Sequence, residues 1–331
     1  MRSNPRDQEA CQRVGQQFQG RRVYVAGHRG MVGKALLRAL SPVGVDLITR
    51  TSAELDLRNQ ADAEEFFRTA RPEIVLFAAG KVGGIQASAS APAEFLYDNL
   101  SMAMHAIHAA HKSGVERFVY VSSTCIYPRL APQPIPESSL LTGELEPTNE
   151  AYALAKIAGL KLCQFYRRQY GDMFHSLVPT NLYGPGDHYH PDHAHVLPAF
   201  IRRFHEAKQQ QQPAVAIWGT GRARREFLHV DDLASAVLHM ASLDDPPNWV
   251  NVGSGEEVAI VELAQLVAEV VGFTGDIVMD ASRPEGTPRK LADSSRLRST
   301  GWRPRHPLRD GLRQTYQDFL RERDAVCCDQ A

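Results

Sequence analysis

The chain has 331 residues, enough for about two domains or one large one, and its 43% hydrophobic content is that of a globular protein with an ample core. A formal net charge of −1 excludes a global field that attracts nucleic acid or an acidic membrane, so anionic partners must be caught by local arginines. No apolar run reaches the roughly 18 residues that span a bilayer.

Residues 1–20 are polar and lack the apolar core of a secretory signal, so they are expected to form a flexible leader on a cytoplasmic protein. The five cysteines, Cys11, Cys125, Cys163, Cys327 and Cys328, are odd in number and show no paired metal spacing, which predicts reduced thiols.

The first strand is Val23–Ala26, and a helix with one apolar face runs from Lys34 to Leu40. Between them stands Gly27-His28-Arg29-Gly30-Met31-Val32-Gly33, with glycines at three-residue intervals. Strand, glycine turn and helix N-terminus make an anion site, because unpaired N–H groups and the helix dipole point at whatever binds there. The first two glycines let the backbone approach a pyrophosphate, and the third lets the helix pack on the sheet. Glycines alone are ordinary turn chemistry; with these flanks they read as a dinucleotide cradle. The second strand, Val45–Ile48, runs into Thr49-Arg50-Thr51-Ser52 instead of the carboxylate that accepts a ribose 2′-OH. With Arg29 in the glycine loop, this favours NADP, although lone arginines are often only solvated surface groups.

A helix over Asp62–Ala70 precedes Glu73–Ala79, a nearly continuous apolar run suited to a buried parallel strand. This alternation predicts a doubly wound sheet. The turn Lys81–Gly84 leads to a long helix from Ala93 to Lys112, whose His105, His108 and His111 lack carboxylate or cysteine partners and read as helix residues, not ligands. The strand Arg117–Ser123 continues into Thr124–Pro128, so Ser123 and Cys125, two apart on extended backbone, are expected to face one pocket at its carboxyl end. Taken alone, the two read equally as a capping serine and a buried cysteine.

A proline-rich loop, Ala131–Thr148, precedes a helix carrying Tyr152 and Lys156. Four residues apart on one helical face, the ammonium is expected to lower the phenol's pKa and make it a proton donor and acceptor. Ser176–Thr180 is the next strand. His188, His190, His193 and His195 follow in a loop with Asp187 and Asp192, where one proton-transfer histidine fits better than a metal site. A helix over Val196–Lys208, a strand over Ala214–Gly219 and a basic loop over Gly219–Phe227 bring Arg203, Trp218 and Arg225, a set able to grip a phosphorylated, ring-bearing ligand. His229–Asp232 opens another helix, Val261–Val271 forms a later one, and the loop Arg283–Lys290 offers further cations.

A glycine triplet, a serine strand and Tyr-Ala-Leu-Ala-Lys in this order resemble the extended short-chain dehydrogenase/reductases. The strings at Ala26–Gly33, Cys125–Pro128, Glu146–Glu150, Pro179–Pro185, Arg225–Asp232 and Gly286–Lys290 resemble that family's nucleotide-sugar epimerase-reductases over about residues 21–320. The resemblance implies a Rossmann-like doubly wound parallel sheet with a smaller C-terminal α/β substrate domain. It implies a leader over 1–20, an NADP-binding domain over 21–190 to which parts of 215–260 return, a mainly substrate-binding region over 191–323 and a tail over 324–331.

The activity implied is NADPH-dependent epimerisation and 4-keto reduction of a GDP-sugar, a GDP-linked 4-keto-6-deoxy sugar. Ser123, Tyr152 and Lys156 would form the reductase triad, and Cys125 and His195 the proton-transfer pair. Cofactor contacts would come from Gly27, His28, Arg29, Gly30, Met31, Val32, Gly33, Arg50, Ser52, Asp56, Leu57, Val121, Ser122, Tyr152, Lys156, Pro179, Thr180, Asn181, Leu182 and His195. Arg203, Trp218, Arg225 and Lys290 would hold the substrate. The same catalytic set would serve an enzyme inverting only C5 of a 3-deoxy sugar, whereas a non-catalytic NADP-binding sensor would need none of it. By analogy the helices around 93–112 and 150–170 would pair in a homodimer. Ser52 stands where relatives can carry another arginine.

Overall fold

The computed structural model describes residues 5–84, 88, 90–190, 194–282 and 287–328. Asp192, His193 and the stretch 283–286 lie outside the described residues.

Six parallel strands form the central sheet: β1 (Arg22–Ala26), β2 (Asp46–Ile48), β3 (Ile74–Phe77), β4 (Arg117–Val121), β5 (Met173–Pro179) and β9 (Trp249–Val252), in the order β2-β1-β3-β4-β5-β9. β3 is buried along its whole length, which is why its sequence is an unbroken apolar run. The order reverses between β1 and β3, so a ligand crevice opens at their carboxyl ends.

Helices cover both faces. α3 (Gln60–Ala70), α4 (Pro92–Lys112) and α5 (Glu150–Tyr170) pack on one face around Phe77, Phe118 and Tyr120. On the other face, α2 (Met31–Leu40) and α7 (Val230–Ala241) pack around Leu36, Leu76 and Val237. A second lobe with its own core around Phe200, Phe204, Ile217 and Val267 holds α6 (Val196–Gln209) and α8 (Ile260–Val271). It includes a small sheet in which β8 (Arg224–His229) lies between β10 (Glu257–Ala259) and β12 (Arg289–Lys290) and also pairs with β6 (Asn181–Tyr183). Alongside it, β7 (Ala214–Trp218) pairs with β11 (Asp276–Asp280).

Three expectations are corrected. Residues 5–18 are a helix, α1 (Pro5–Phe18), not a flexible leader. Its only apolar anchors among the residues with described side chains are Val14 and Phe18, four apart, a stripe too narrow to stand out in a polar sequence. Phe18 is nevertheless 0% exposed, inside the core beneath α7. Replacing Phe18 with alanine is expected to cost about 3 kcal/mol, read as a lowered urea midpoint; an unchanged midpoint would return this segment to the status of a leader. Secondly, the basic loop expected over Gly219–Phe227 is a turn only as far as Ala223, and Arg224 and Arg225 lie on β8. Thirdly, Arg289 and Lys290, expected in a loop, pair with Arg224 and Arg225 as β12. Neither Arg224-Arg225 nor Arg289-Lys290 carries the apolar–polar alternation of a strand.

Candidate active site

At the end of β1 the backbone leaves room for nothing larger than glycine. Gly27 has φ +79°, and a Cβ there would stand 2.8 Å from the Ala78 backbone. A Cβ on Gly33 would stand 2.1 Å from the Gly27 carbonyl oxygen, so α2 meets the turn only because Gly33 lacks one. Gly30 is the N-cap of α2 and supplies no side-chain cap. The first-turn N–H groups of Met31, Val32 and Gly33 therefore face the crevice with the positive end of the helix dipole. Nearby, Ser122 Oγ is buried with no hydrogen-bond partner among the described residues. A cradle that a Cβ would fill, uncapped donors and an orphaned hydroxyl fit a dinucleotide.

Arg29 and Ser52 are exposed, and Arg50 lies over the Phe66 ring at 5.8 Å. Glu54, the first carboxylate after β2, folds back to accept from Thr51 N at 2.7 Å and Thr51 Oγ1 at 2.8 Å. Asp56 is held below the usual carboxylate range by hydrogen bonds from Arg58. The Leu57 carbonyl meets His105 Nδ1 at 3.2 Å. His108 and His111 bond to Tyr166 and Asp172, so the helical histidine stripe is spent on packing between α4, α5 and the turn before β5.

Ser123 and Cys125 come together, but not by strand alternation. The chain after β4 tightens into a 3₁₀ turn over Thr124–Ile126, which Ser123 caps, with Cys125 N donating to Ser123 Oγ at 3.4 Å. Proximity here comes from a serine side chain bonding locally to its own backbone, a competition with extended structure that serine commonly wins. Cys125 is buried, and burial pushes its thiol up, while Lys290, the Ser123 hydroxyl and Lys156 pull it down.

Tyr152 and Lys156 reach the same pocket from α5. Gly159 lets the helix lie directly on β4, since a Cβ there would stand 2.5 Å from the Tyr120 ring. Lys156 donates to the Val121 carbonyl at 2.9 Å, and its ammonium sits 4.9 Å from the Tyr120 ring centroid and 5.6 Å from that of Tyr152. The expected lowering of the Tyr152 pKa is contradicted: burial, and secondarily Cys125, push the phenol above its ordinary value. Lys156 is itself drawn down to about 8 by burial and spends a donor on a carbonyl, so desolvation of the phenol outweighs it. Tyr152 is thus a protonated phenol at neutral pH, the state that donates a proton.

Sequence reasoning missed Asn99. Buried in α4, it accepts from Lys81 N at 2.9 Å and donates to the Lys81 and Phe95 carbonyls, fixing the backbone beside Gly80, where a Cβ would stand 3.6 Å from Lys156 Nζ. An asparagine in a helix interior was the available signal.

Pro179 and Thr180 are buried at the end of β5, and Thr180 and Asn181 both donate to the Glu226 carbonyl; Leu182 is half-buried. His195 is the N-cap of α6; the residue is exposed, yet surrounding protein and then His188 lower its pKa. His188 and His190 stack at 5.9 Å on the surface, while burial pushes Asp187 up to about 7. From the second lobe, Arg203 donates to the Ala216 carbonyl of β7, and Trp218 at the end of that strand is 55% exposed. Arg225 and Lys290 are register partners. His229, Asp231 and His306 also gather, but the two imidazoles stack at 4.3 Å with a 22° interplanar angle, so their lone pairs do not converge on one ion.

A doubly wound sheet with a glycine cradle and a serine, tyrosine and lysine at the end of β4 defines a dinucleotide-dependent oxidoreductase of the short-chain type. The chain belongs to the NAD dependent epimerase/dehydratase family, whose sequence profile matches residues 23–253. It is 55% identical to a probable GDP-L-fucose synthase 1 of Oryza sativa subsp. japonica, over 91% of this chain and 92% of that protein. It is 50% identical to the GDP-L-fucose synthase of Escherichia coli (strain K12), over 92% and 98%. The structure of a GDP-L-fucose synthetase from Naegleria fowleri bound to NADP superposes with a TM-score of 0.84 at 26% identity, covering 92% of this chain and 96% of that one.

Proposed function

We propose that this chain catalyses NADPH-dependent 3,5-epimerisation and 4-keto reduction of GDP-4-keto-6-deoxy-D-mannose to GDP-L-fucose. The observation that carries the reading is the convergence of Cys125, Ser123, Tyr152 and Lys156 beside the glycine cradle, in a chain half identical to proteins bearing that activity in their names.

The C4 ketone acidifies the hydrogens on C3 and C5. The Cys125 thiolate removes one as a proton; the C–H electron pair becomes the enolate double bond, and the ketone π pair moves to oxygen, where Ser123 and Tyr152 receive it. His195 returns a proton to the opposite face. NADPH supplies the hydride that reduces C4. Tyr152 donates the proton to the C4 oxygen, and Lys156, beside the phenol, would hold the ribose end of the cofactor. Gly27–Gly33 would cradle the pyrophosphate, and Arg29 and Arg50 would hold the 2′-phosphate. Asp56 and Leu57 would hold the adenine end, and Val121, Ser122 and Pro179–Leu182 the nicotinamide end. Arg203, Trp218, Arg225 and Lys290 grip the GDP-sugar. We assign the cofactor domain to 21–190 together with α7 and β9, and the substrate domain to the second lobe.

Exposed Tyr97, Met104, Leu154 and Phe165 on α4 and α5 support a homodimer built on these helices. The free thiols Cys125 and Cys163 suit the reducing cytoplasm, and no described helix is long and apolar enough to cross a membrane.

The reading is tested by following NADPH oxidation with GDP-4-keto-6-deoxy-D-mannose and comparing the product with authentic GDP-L-fucose; turnover confined to a 3-deoxy sugar would overturn it. Changing Arg50 to alanine is expected to raise the KM for NADPH about tenfold while leaving that for NADH near its starting value. Equal effects on both cofactors would remove Arg50 from the phosphate site.

The pH dependence follows from two shifts. Cys125 lies above its ordinary 9.0 and must be ionised to act; His195 lies below its ordinary 6.5 and must be protonated. The productive form is then a minor species whose fraction is constant between the two values. The kcat/KM for deuterium wash-in is expected to be flat from 6.5 to 9.0, falling only outside those limits. A sharp optimum near neutrality would contradict the pairing.

A further inference from the structure

Segment 289–293 crosses the site as a strap, gripped on both edges. On one edge, β12 pairs with β8, bringing Lys290 opposite Arg225, and Ala292 N donates to Glu226 Oε2 at 2.9 Å. On the other, Ile135, in the loop that follows Cys125, donates its N–H to the Leu291 carbonyl at 2.8 Å and accepts from Asp293 N at 2.9 Å. Gln133 Oε1 accepts from Leu291 N at 2.8 Å. Asn251 ties the same pieces together, donating to the Ile135 and Asp293 carbonyls while accepting from Tyr127 OH at 2.6 Å.

Glu226 is unusual among these anchors because it is a carboxylate with 0% exposure. Its second oxygen accepts from Gly255 N at 2.7 Å, and the chain wraps it so closely that a Cβ on Gly253 would stand 2.3 Å from Oε1. Only a carboxylate offers an acceptor to two N–H donors on separate oxygens; a glutamine would have to turn an NH₂ group toward one of them. Burial pushes Glu226 up, and the Ala292, Gly255 and Thr180 hydrogen bonds and the Arg298 charge pull it back. A buried carboxylate is costly unless so satisfied, and the strap it holds has little regular structure of its own.

Lys290 is what the strap delivers. Of the two ammonium groups acting on Cys125, Lys290 has the larger effect and Lys156 the smaller. We propose that Glu226 is a positioning residue for the epimerase step: by pinning the strap against the Cys125 loop it holds the Lys290 ammonium where it favours the Cys125 thiolate. The proposal rests on Cys125 being the base. The other groups facing that thiol are the Ser123 hydroxyl and the Tyr152 and Tyr120 phenols; Arg225 and Glu146 face Lys290.

The test measures deuterium wash-in at the carbons flanking the ketone, as a function of pH, in the NADP-bound enzyme and its variants. In Lys290→Met the plateau is expected to fall about tenfold and the alkaline limb to move up by about one pH unit, converging with the unaltered enzyme at high pH. Lys290→Arg restores the limb. Glu226→Gln shifts the limb in the same direction by a smaller amount, and so does Gln133→Ala, which loosens the opposite edge and decides the matter if Glu226→Gln does not fold. Cys125→Ser separates the two claims. If it loses wash-in while the Lys290 and Glu226 variants keep an unshifted limb, whatever their rates, Glu226 is merely structural and the proposal fails with the base intact. If Cys125→Ser keeps its wash-in, the base assignment fails and takes the proposal with it.

Discussion

Cys125→Ser is expected to lower deuterium wash-in at C3 and C5 by about a thousandfold, while an already epimerised 4-keto sugar is still reduced by NADPH. Serine keeps the size of the side chain but not its acidity, and a buried hydroxyl does not ionise near neutral pH. The variant keeps the bond from the backbone N–H of position 125 to Ser123 Oγ and loses only the contact of that hydroxyl with the sulfur. Lys156 likewise keeps its bond to the Val121 carbonyl. Epimerisation and reduction should therefore separate in this one variant, read by NMR for wash-in and by absorbance for NADPH. Wash-in at the original rate would remove Cys125 from the mechanism.

Tyr152→Phe is expected to lower both steps, reduction more than wash-in. Reduction should fall by about 10³-fold, because the phenol that delivers the proton to the C4 oxygen is gone. Wash-in should fall by about a hundredfold, since the enolate oxygen loses one of its two donors but keeps Ser123. NADPH binding, followed by its fluorescence, should change little: the glycine cradle and Lys156 are untouched, and the phenyl ring preserves the packing beside Lys156. The raised Tyr152 pKa bears on this result directly. A phenol kept protonated by burial is the proton donor reduction needs, and its donor state persists through the neutral range. Reduction at the original rate in the phenylalanine variant would contradict the triad.

The cofactor half of the fold was legible because its signals are local. A glycine triplet between a strand and a helix, and a fully buried apolar run at Ile74–Phe77, each state their structure within a few residues. That Ser123, Tyr152 and Lys156 come together was legible for the same reason, since Tyr152 and Lys156 share one helix and Ser123 follows β4 by two residues. What was hidden depends on distant partners. Phe18 looks like one apolar residue in a polar leader until the core under α7 is in place to receive it. Arg224, Arg225, Arg289 and Lys290 look like loop cations until β8 and β12 pair. The direction of the Tyr152 shift is hidden too, because helical spacing reports the nearby ammonium but not the depth of burial that outweighs it. Glu226 is the extreme case, its partners Gly255 and Ala292 standing 29 and 66 residues away along the chain.

The central claim, that one pocket both epimerises and reduces, is tested most directly by a single reaction in D₂O with GDP-4-keto-6-deoxy-D-mannose and unlabelled NADPH, followed by NMR of the product. The account predicts a GDP-L-fucose carrying solvent deuterium at C3 and C5 and protium from NADPH at C4. A reduced product with protium retained at C3 or C5, or no reduced product at all, would contradict it.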